Sequence, residues 1–297
     1  MLGKNSSIVV TGSSGFMGQS CMDALTQRFK GKAIFGLDKA QNDIDLSNRN
    51  LAERYMHTLE TDILFHFAAD ARESRSHYEP LSSLDNNLVA YMNTLVAAIK
   101  HGLKRVVLIS SIAAYGAGRV PFLETDPLRP IDTYGAMKAA MEHVTQDLCD
   151  VNDVEFVIFR PHNVYGPGQS LTDPHRNLFG IWMNQVLHGK PISIVGEGHQ
   201  RRQFSYIEDV TRVIVGLGLD PEARNRVFNV GANAAMQVID AAKVFGEVVG
   251  KDRKVFLPAR KREVMDARVD HARLENCGYV CEVPLWNGLT AMWESVK

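Results

Sequence analysis

Five short, almost unbroken apolar runs recur through the first 160 positions, at 8–10, 33–38, 63–69, 105–111 and 154–160, with a stretch of helical period between each and the next. Runs this short, rich in Val, Ile and Phe, predict strands buried on both faces. The intervening stretches, 16–29, 51–59, 84–101 and 134–149, predict helices. Strand and helix in alternation mean βαβ units, right-handed crossovers and a parallel sheet. After Arg160 the pattern breaks into the Pro/Gly-rich loop PHNVYGPGQ. One apolar helix (178–187), short strands (192–195, 227–230, 255–257) and several loops follow, which predict a smaller, irregular second lobe.

Composition removes several classes. With 33 Lys+Arg against 34 Asp+Glu the formal charge is −1, so no basic footprint for nucleic acid exists. No apolar run approaches the length that crosses a bilayer, and MLGKNSSIVV lacks the apolar region of a signal peptide; a cytoplasmic protein is expected. Four scattered cysteines, Cys21, Cys149, Cys277 and Cys281, make no disulfide framework, and the last two lack a second pair at zinc spacing. No metal is expected.

The first chemical motif is TGSSGFMG, set between the first strand and the first helix. Gly12, Gly15 and Gly18, with Phe16 and Met17 between them, let backbone approach a pyrophosphate at a helix N-terminus. Asp38 ends the second strand 20 residues beyond Gly18. A carboxylate there accepts hydrogen bonds from adenosine ribose and repels a 2′-phosphate, which favours NAD over NADP. The second motif joins a strand end, SSIAAYG (110–116), to YGAMK (134–138). Tyr134 and Lys138, four apart, share a helical face, and a neighbouring ammonium makes a phenol a better base. Ser111 stands at the strand end, where parallel sheets bind ligands.

With HFAA (66–69), RPHNVYGPG (160–168) and GEGHQRRQFSYIEDV (196–210) in order behind these motifs, the chain resembles the extended short-chain dehydrogenase/reductase family, specifically its NAD-dependent sugar-nucleotide epimerases, from about residue 8 to 289. The resemblance implies a doubly wound parallel Rossmann sheet with a smaller mixed α/β substrate lobe. It places the NAD-binding domain at 1–165, with 205–232 returning to it, and the nucleotide-sugar lobe at 166–204 and 233–297. Tyr134 is the implied catalytic base, Lys138 holds the nicotinamide ribose and lowers the Tyr134 pKa, and Ser111 binds the reacting sugar hydroxyl. Asp45 and Leu46 fall beside adenine, with Asp43 a rival to Asp45. Phe67, Ala68, Ala69, Asn87, Ser110 and Pro161 line the cofactor. On the substrate side Asn163 contacts the sugar diphosphate, and Asn177 and Leu178 begin the helix that holds the nucleotide. Arg202 and Arg260 clamp the pyrophosphate, Lys261 and Arg262 competing with Arg260, and Glu263 takes the nucleotide ribose. His66 and His162, in apolar surroundings, read as core residues rather than catalysts.

Related 4,6-dehydratases carry Thr-Asp-Glu where this chain has Ser111, Ile112 and Ala113, and uronate decarboxylases place Glu at the Ala113 position. Ile and Ala transfer no protons, so the resemblance narrows to 4-epimerases of UDP-hexoses, acting through a transient 4-keto sugar with NAD recycled. Ala267, at the position that closes the hexose pocket, leaves room for an N-acetyl group. A 4-keto-sugar-nucleotide reductase or dehydrogenase using the same residues is the alternative, and a non-enzymatic NAD-binding scaffold the third. A homodimer through the helices at 84–101 and 134–149 is implied. Three departures stand out: Met137 replaces the usual Ser, DARESR blurs the position after HFAA so that Arg72 and Arg75 receive no role, and the segment 38–45 is so short that the helix normally following the second strand is expected to be missing.

Overall fold

A computed structural model describes residues 7–174, 177–259 and 264–297. Strands β1 (Ile8–Thr11), β2 (Ile34–Leu37), β3 (Ile63–His66), β4 (Arg105–Ile109) and β5 (Glu155–Pro161) join a sixth, Arg226–Val230, in one sheet. Its order is Arg226–Val230, β5, β4, β3, β1, β2. Every pairing is parallel, with Thr11 opposite Leu37 on one side and His66 on the other.

Alternation along these strands sorts side chains onto two buried faces. Ile8, Val10, Ile63, Phe65, Val107 and Ile109 join one cluster with Cys21 and Leu25 of helix α1 (Phe16–Arg28) and with Val210 and Val213 of helix Ile207–Leu219. Val9, Leu64, Val106, Leu108 and Ile158 join the other with Ala52 and Met56, Tyr91 and Leu95, and Met141 and Cys149. These come in turn from the helices Arg49–Thr58, Ala90–Lys100 and Thr133–Val151. Helices therefore cover both faces, as the unbroken apolar runs require. Each fully buried Val, Ile or Phe contributes roughly 1.5–3 kcal/mol of transfer free energy.

The segment after β2 corrects the expectation of a missing helix: one turn survives, α2 (Lys39–Asn42). Asp38 caps it, Oδ1 accepting from the Ala40 N–H at 2.8 Å, and Asp43 ends it with a left-handed φ of 54°. A four-residue turn held by one cap is too short to show a helical period. Residues Asp85–Val89 wind as a π-helix before the α-helix Ala90–Lys100 begins, a wide turn that recurs at functional sites.

The remainder is built from three two-stranded pairs: Ile192–Val195 with Lys254–Leu257, Arg201–Gln203 with Ala235–Gln237, and Val164–Tyr165 with Ser205–Tyr206. Phe179, Trp182, Phe204 and Phe245 interlock at its centre. The chain runs outward from β1 to β2, then returns to place β3 on the other side of β1. Strand order reverses there, which opens a crevice at the carboxyl ends of β1 and β3.

Candidate active site

The glycine loop lies at that crevice. A Cβ on Gly12 would fall 2.6 Å from the Ala68 nitrogen, and one on Gly18 would fall 2.0 Å from the Gly12 carbonyl, so both positions exclude a side chain. Gly15 caps α1 without a side-chain hydrogen bond, and the first turn carries no acid. The helix thus presents unsatisfied N–H groups and its positive dipole end to an anion. Phe16 and Met17 pack inward on the core from this turn. The Asp38 carboxylate ties the loop to β2, Oδ2 accepting from the Ser14 N–H at 3.1 Å.

Downstream, Leu46 is buried. Asp45 accepts from both the backbone and hydroxyl of Ser47 and pairs with Lys39 at 2.5 Å. Burial pushes its carboxyl up, but the hydrogen bonds from Lys39 and Ser47 outweigh that and hold it below its ordinary value. Asp43 is exposed at the end of α2. Across the crevice, Phe67, Ala68 and Ala69 leave β3 half-buried, the Phe67 N–H donating to the Thr11 carbonyl. Asn87, fully buried in the π-helix, donates to the Asp70 and Ser83 carbonyls, while its Oδ1 has no protein partner. A cradle that a Cβ would fill, a bare helix N-terminus, a strand-end carboxylate and an orphaned amide oxygen fit a dinucleotide.

Helix Thr133–Val151 carries the second motif, started by Asp132, whose Oδ1 accepts from the Gly135 N–H at 2.7 Å. Tyr134 is 6% exposed and Lys138 2%. The Lys138 Nζ donates to the Ile109 carbonyl at the end of β4 at 2.8 Å and lies 5.8 Å from the Tyr134 ring centroid. Burial pulls its ammonium down to about 8 against the opposing pull of Glu142. Ser111 lies two residues beyond the end of β4, capping the turn Ile112–Ala114 by accepting from the Ala113 N–H at 3.1 Å. A Cβ on Gly135 would sit 2.4 Å from the Ala113 carbonyl, so the glycine after Tyr134 brings the helix onto the Ser111 turn. That role escaped the sequence, although the YG pair was its signal. Ser110 is buried and donates its hydroxyl to Glu142.

Pro161 ends β5 and leads to His162, fully buried and paired through Nδ1 with Gln203. Asn163 follows in a left-handed conformation, φ 37°, with a buried Nδ2 that no protein atom meets. Gln169 likewise has both amide atoms buried and unpartnered, which the sequence reading missed. Asn177, with φ 41°, precedes helix Leu178–Leu187 and exposes its side chain. Arg202 is half-buried on strand Arg201–Gln203, and its charge adds to burial in holding His162 neutral. Arg260 and Glu263 lie outside the described residues, as do Lys261 and Arg262. Among the described residues no His/Cys/Asp/Glu group could hold a metal, and no helix is long and apolar enough to cross a membrane.

Residues 8–231 match the model of the NAD dependent epimerase/dehydratase family. The UDP-glucose 4-epimerase of Mycolicibacterium smegmatis is 28% identical over 95% of each chain. Among solved structures, the UDP-glucose 4-epimerase of Thermotoga maritima with UDP-glucose superposes with a TM-score of 0.91 over 98% of both chains at 25% identity. That of Thermus thermophilus, in complex with NAD, gives 0.89 at 25% identity over 97% of this chain and 98% of its own. The chain belongs to the NAD-dependent epimerase/dehydratase family, and its cofactor is NAD.

Proposed function

We propose that the protein inverts C4 of a UDP-hexose through a transient 4-keto sugar. One observation supports this reading: the helix that bears Tyr134 and Lys138 packs on the turn after β4 that Ser111 caps, Lys138 bonding the Ile109 carbonyl and Gly135 closing on Ala113, and that turn offers only Ile112, Ala113 and Ala114. That turn holds no second acid or base for expelling a C6 hydroxyl or directing loss of a carboxylate. NAD, when bound at the Gly12–Gly18 loop, would supply a reversible hydride acceptor with no net redox change. The Tyr134 Oη takes the C4 hydroxyl proton and gives it back after the sugar has presented its other face. Ser111 Oγ orients that hydroxyl, and the Lys138 ammonium favours the phenolate form. Burial of Tyr134 keeps water from the proton as it moves.

Asn163, Arg202 and the segment that includes Arg260 and Glu263 hold the UDP moiety still while the sugar turns. Ala267 is buried beside the Asp266–Arg268 ion pair, and its small side chain admits an N-acetyl group. Purified protein given UDP-glucose and UDP-N-acetylglucosamine separately, without added cofactor, should convert both to their C4 epimers on chromatographic resolution; no conversion of either contradicts the proposal. Ala267→Tyr should lower the N-acetyl to plain-hexose activity ratio about tenfold or more. An unchanged ratio removes Ala267 from specificity.

The same reading carries a homodimer through helices Ala90–Lys100 and Thr133–Val151. Val96 and Val151 on these helices are 44% and 75% exposed, apolar area suited to a partner copy. Sedimentation of wild type as a dimer and of Val96→Lys as a monomer is expected, and a monomeric wild type contradicts it.

A further inference from the structure

Tyr134 and Lys138 are followed on the same helical stripe by a third ionisable residue, Glu142, which is 1% exposed. Its Oε1 accepts the Ser110 hydroxyl. Arg160, 3% exposed at the end of β5, donates to the carboxylate from Nε at 3.0 Å and from Nη2 at 2.6 Å. Consecutive residues of one strand end are thus tied to consecutive turns of one helix: the Ile109 carbonyl to Lys138 and the Ser110 hydroxyl to Glu142. The next residue is Ser111. Arg160 continues the chain of contacts, donating from Nη1 to the Tyr115 Oη at 2.7 Å. Tyr115 donates to Asn229, whose Nδ2 reaches the Phe122 and Asp270 carbonyls at 3.1 Å each.

The charges around Lys138 do not balance without Glu142. His66 faces it from β3, held neutral by burial and by the Lys138 charge itself, with Tyr91 packed behind His66. Arg160 comes from β5, Tyr115 from the turn after β4 with Glu124 near it, and Tyr134 from the helix itself. Two cations, Lys138 and Arg160, therefore lie about the Glu142 carboxylate, while the second carboxylate of the network, Glu124, accepts from the Asn229 N–H and faces Arg273. A single Arg–Glu pair would be neutral by itself; the added ammonium gives Glu142 a role beyond packing.

We propose that Glu142 is a positioning residue for the Tyr134–Lys138 pair: through Ser110 it fixes the helix against the end of β4, and its charge keeps the Lys138 ammonium in a site closed to water. This rests on Tyr134 and Lys138 being the proton-transfer pair, and the test separates the two ideas. In the full chain with its cofactor, the Lys138 side-chain resonance, assigned by its loss in Lys138→Met, should titrate about one unit lower in Glu142→Gln than in wild type. Glu142→Asp, which keeps the charge, should leave that titration in place. Turnover of Glu142→Gln should show kcat lowered about tenfold, KM within about twofold, and the alkaline limb of kcat moved down with the lysine. Ser110→Ala keeps both charges and so guards against failure of the Gln variant to fold; it should lower kcat about fivefold at unchanged KM with the lysine titration unmoved. Identical Lys138 titrations in wild type and Glu142→Gln, or wild-type kcat in Ser110→Ala, overturn the proposal. A wild type that forms no C4 epimer defeats the functional reading while leaving the resonance test intact.

Discussion

Tyr134→Phe is expected to lower kcat by roughly 10²–10⁴ while leaving fold and bound NAD in place. The phenol ring packs at the helix start, and losing one oxygen opens no large cavity, so circular dichroism and thermal midpoint should stay near wild type. What disappears is the atom proposed to accept the sugar proton. Lys138→Met should cost as much, because the ammonium that favours the phenolate goes with it. Burial brings Lys138 to about 8, so the charged form dominates below that pH and is lost above it. Wild-type kcat should accordingly decline on the alkaline side of about 8. Full turnover by Tyr134→Phe would sink every catalytic reading of this chain.

Acid should unfold the protein through its buried histidines. His66 and His162 are fully buried and His271 is 4% exposed; burial lowers the first two to about 3 and the third to about 4 from an ordinary 6.5. Lys138 reinforces burial at His66, Arg202 reinforces it at His162, and Asp270 opposes it at His271. Each group is more basic in the unfolded chain, so below 6.5 the unfolded state binds more protons and stability falls with pH until the folded values are reached. By about pH 5 each histidine removes roughly 2 kcal/mol, about 6 kcal/mol together, a sum comparable to the whole stability of many domains. Urea midpoints taken across this range should fall steeply, and His162→Gln should flatten the slope by about one proton. A midpoint independent of pH down to about 5 contradicts the assignment of three neutral histidines.

Much of the site was legible because local physics dictated it. Gly12 and Gly18 stand where a side chain cannot fit, and their spacing shows that directly. Strands buried on both faces wrote themselves as unbroken apolar runs, and Lys138 four residues beyond Tyr134 followed from helical period. The surviving turn α2 stayed hidden because it depends on one cap, Asp38, and one left-handed residue, Asp43. Glu142 was hidden for another reason. Its partners Ser110 and Arg160 lie 32 and 18 residues away and are joined to it only when β4, β5 and the long helix come together. Orphaned amides on Asn87, Asn163 and Gln169 are also invisible in a sequence, since an unmet hydrogen bond is a property of packing.

C4 inversion without net redox change can be read from product analysis run beside nicotinamide absorbance. Incubated without added cofactor, UDP-glucose and UDP-galactose should approach the same equilibrium mixture from both sides, with no stoichiometric build-up of NADH. Accumulation of NADH in step with product, or release of a 6-deoxy-4-keto or decarboxylated sugar nucleotide, would contradict it.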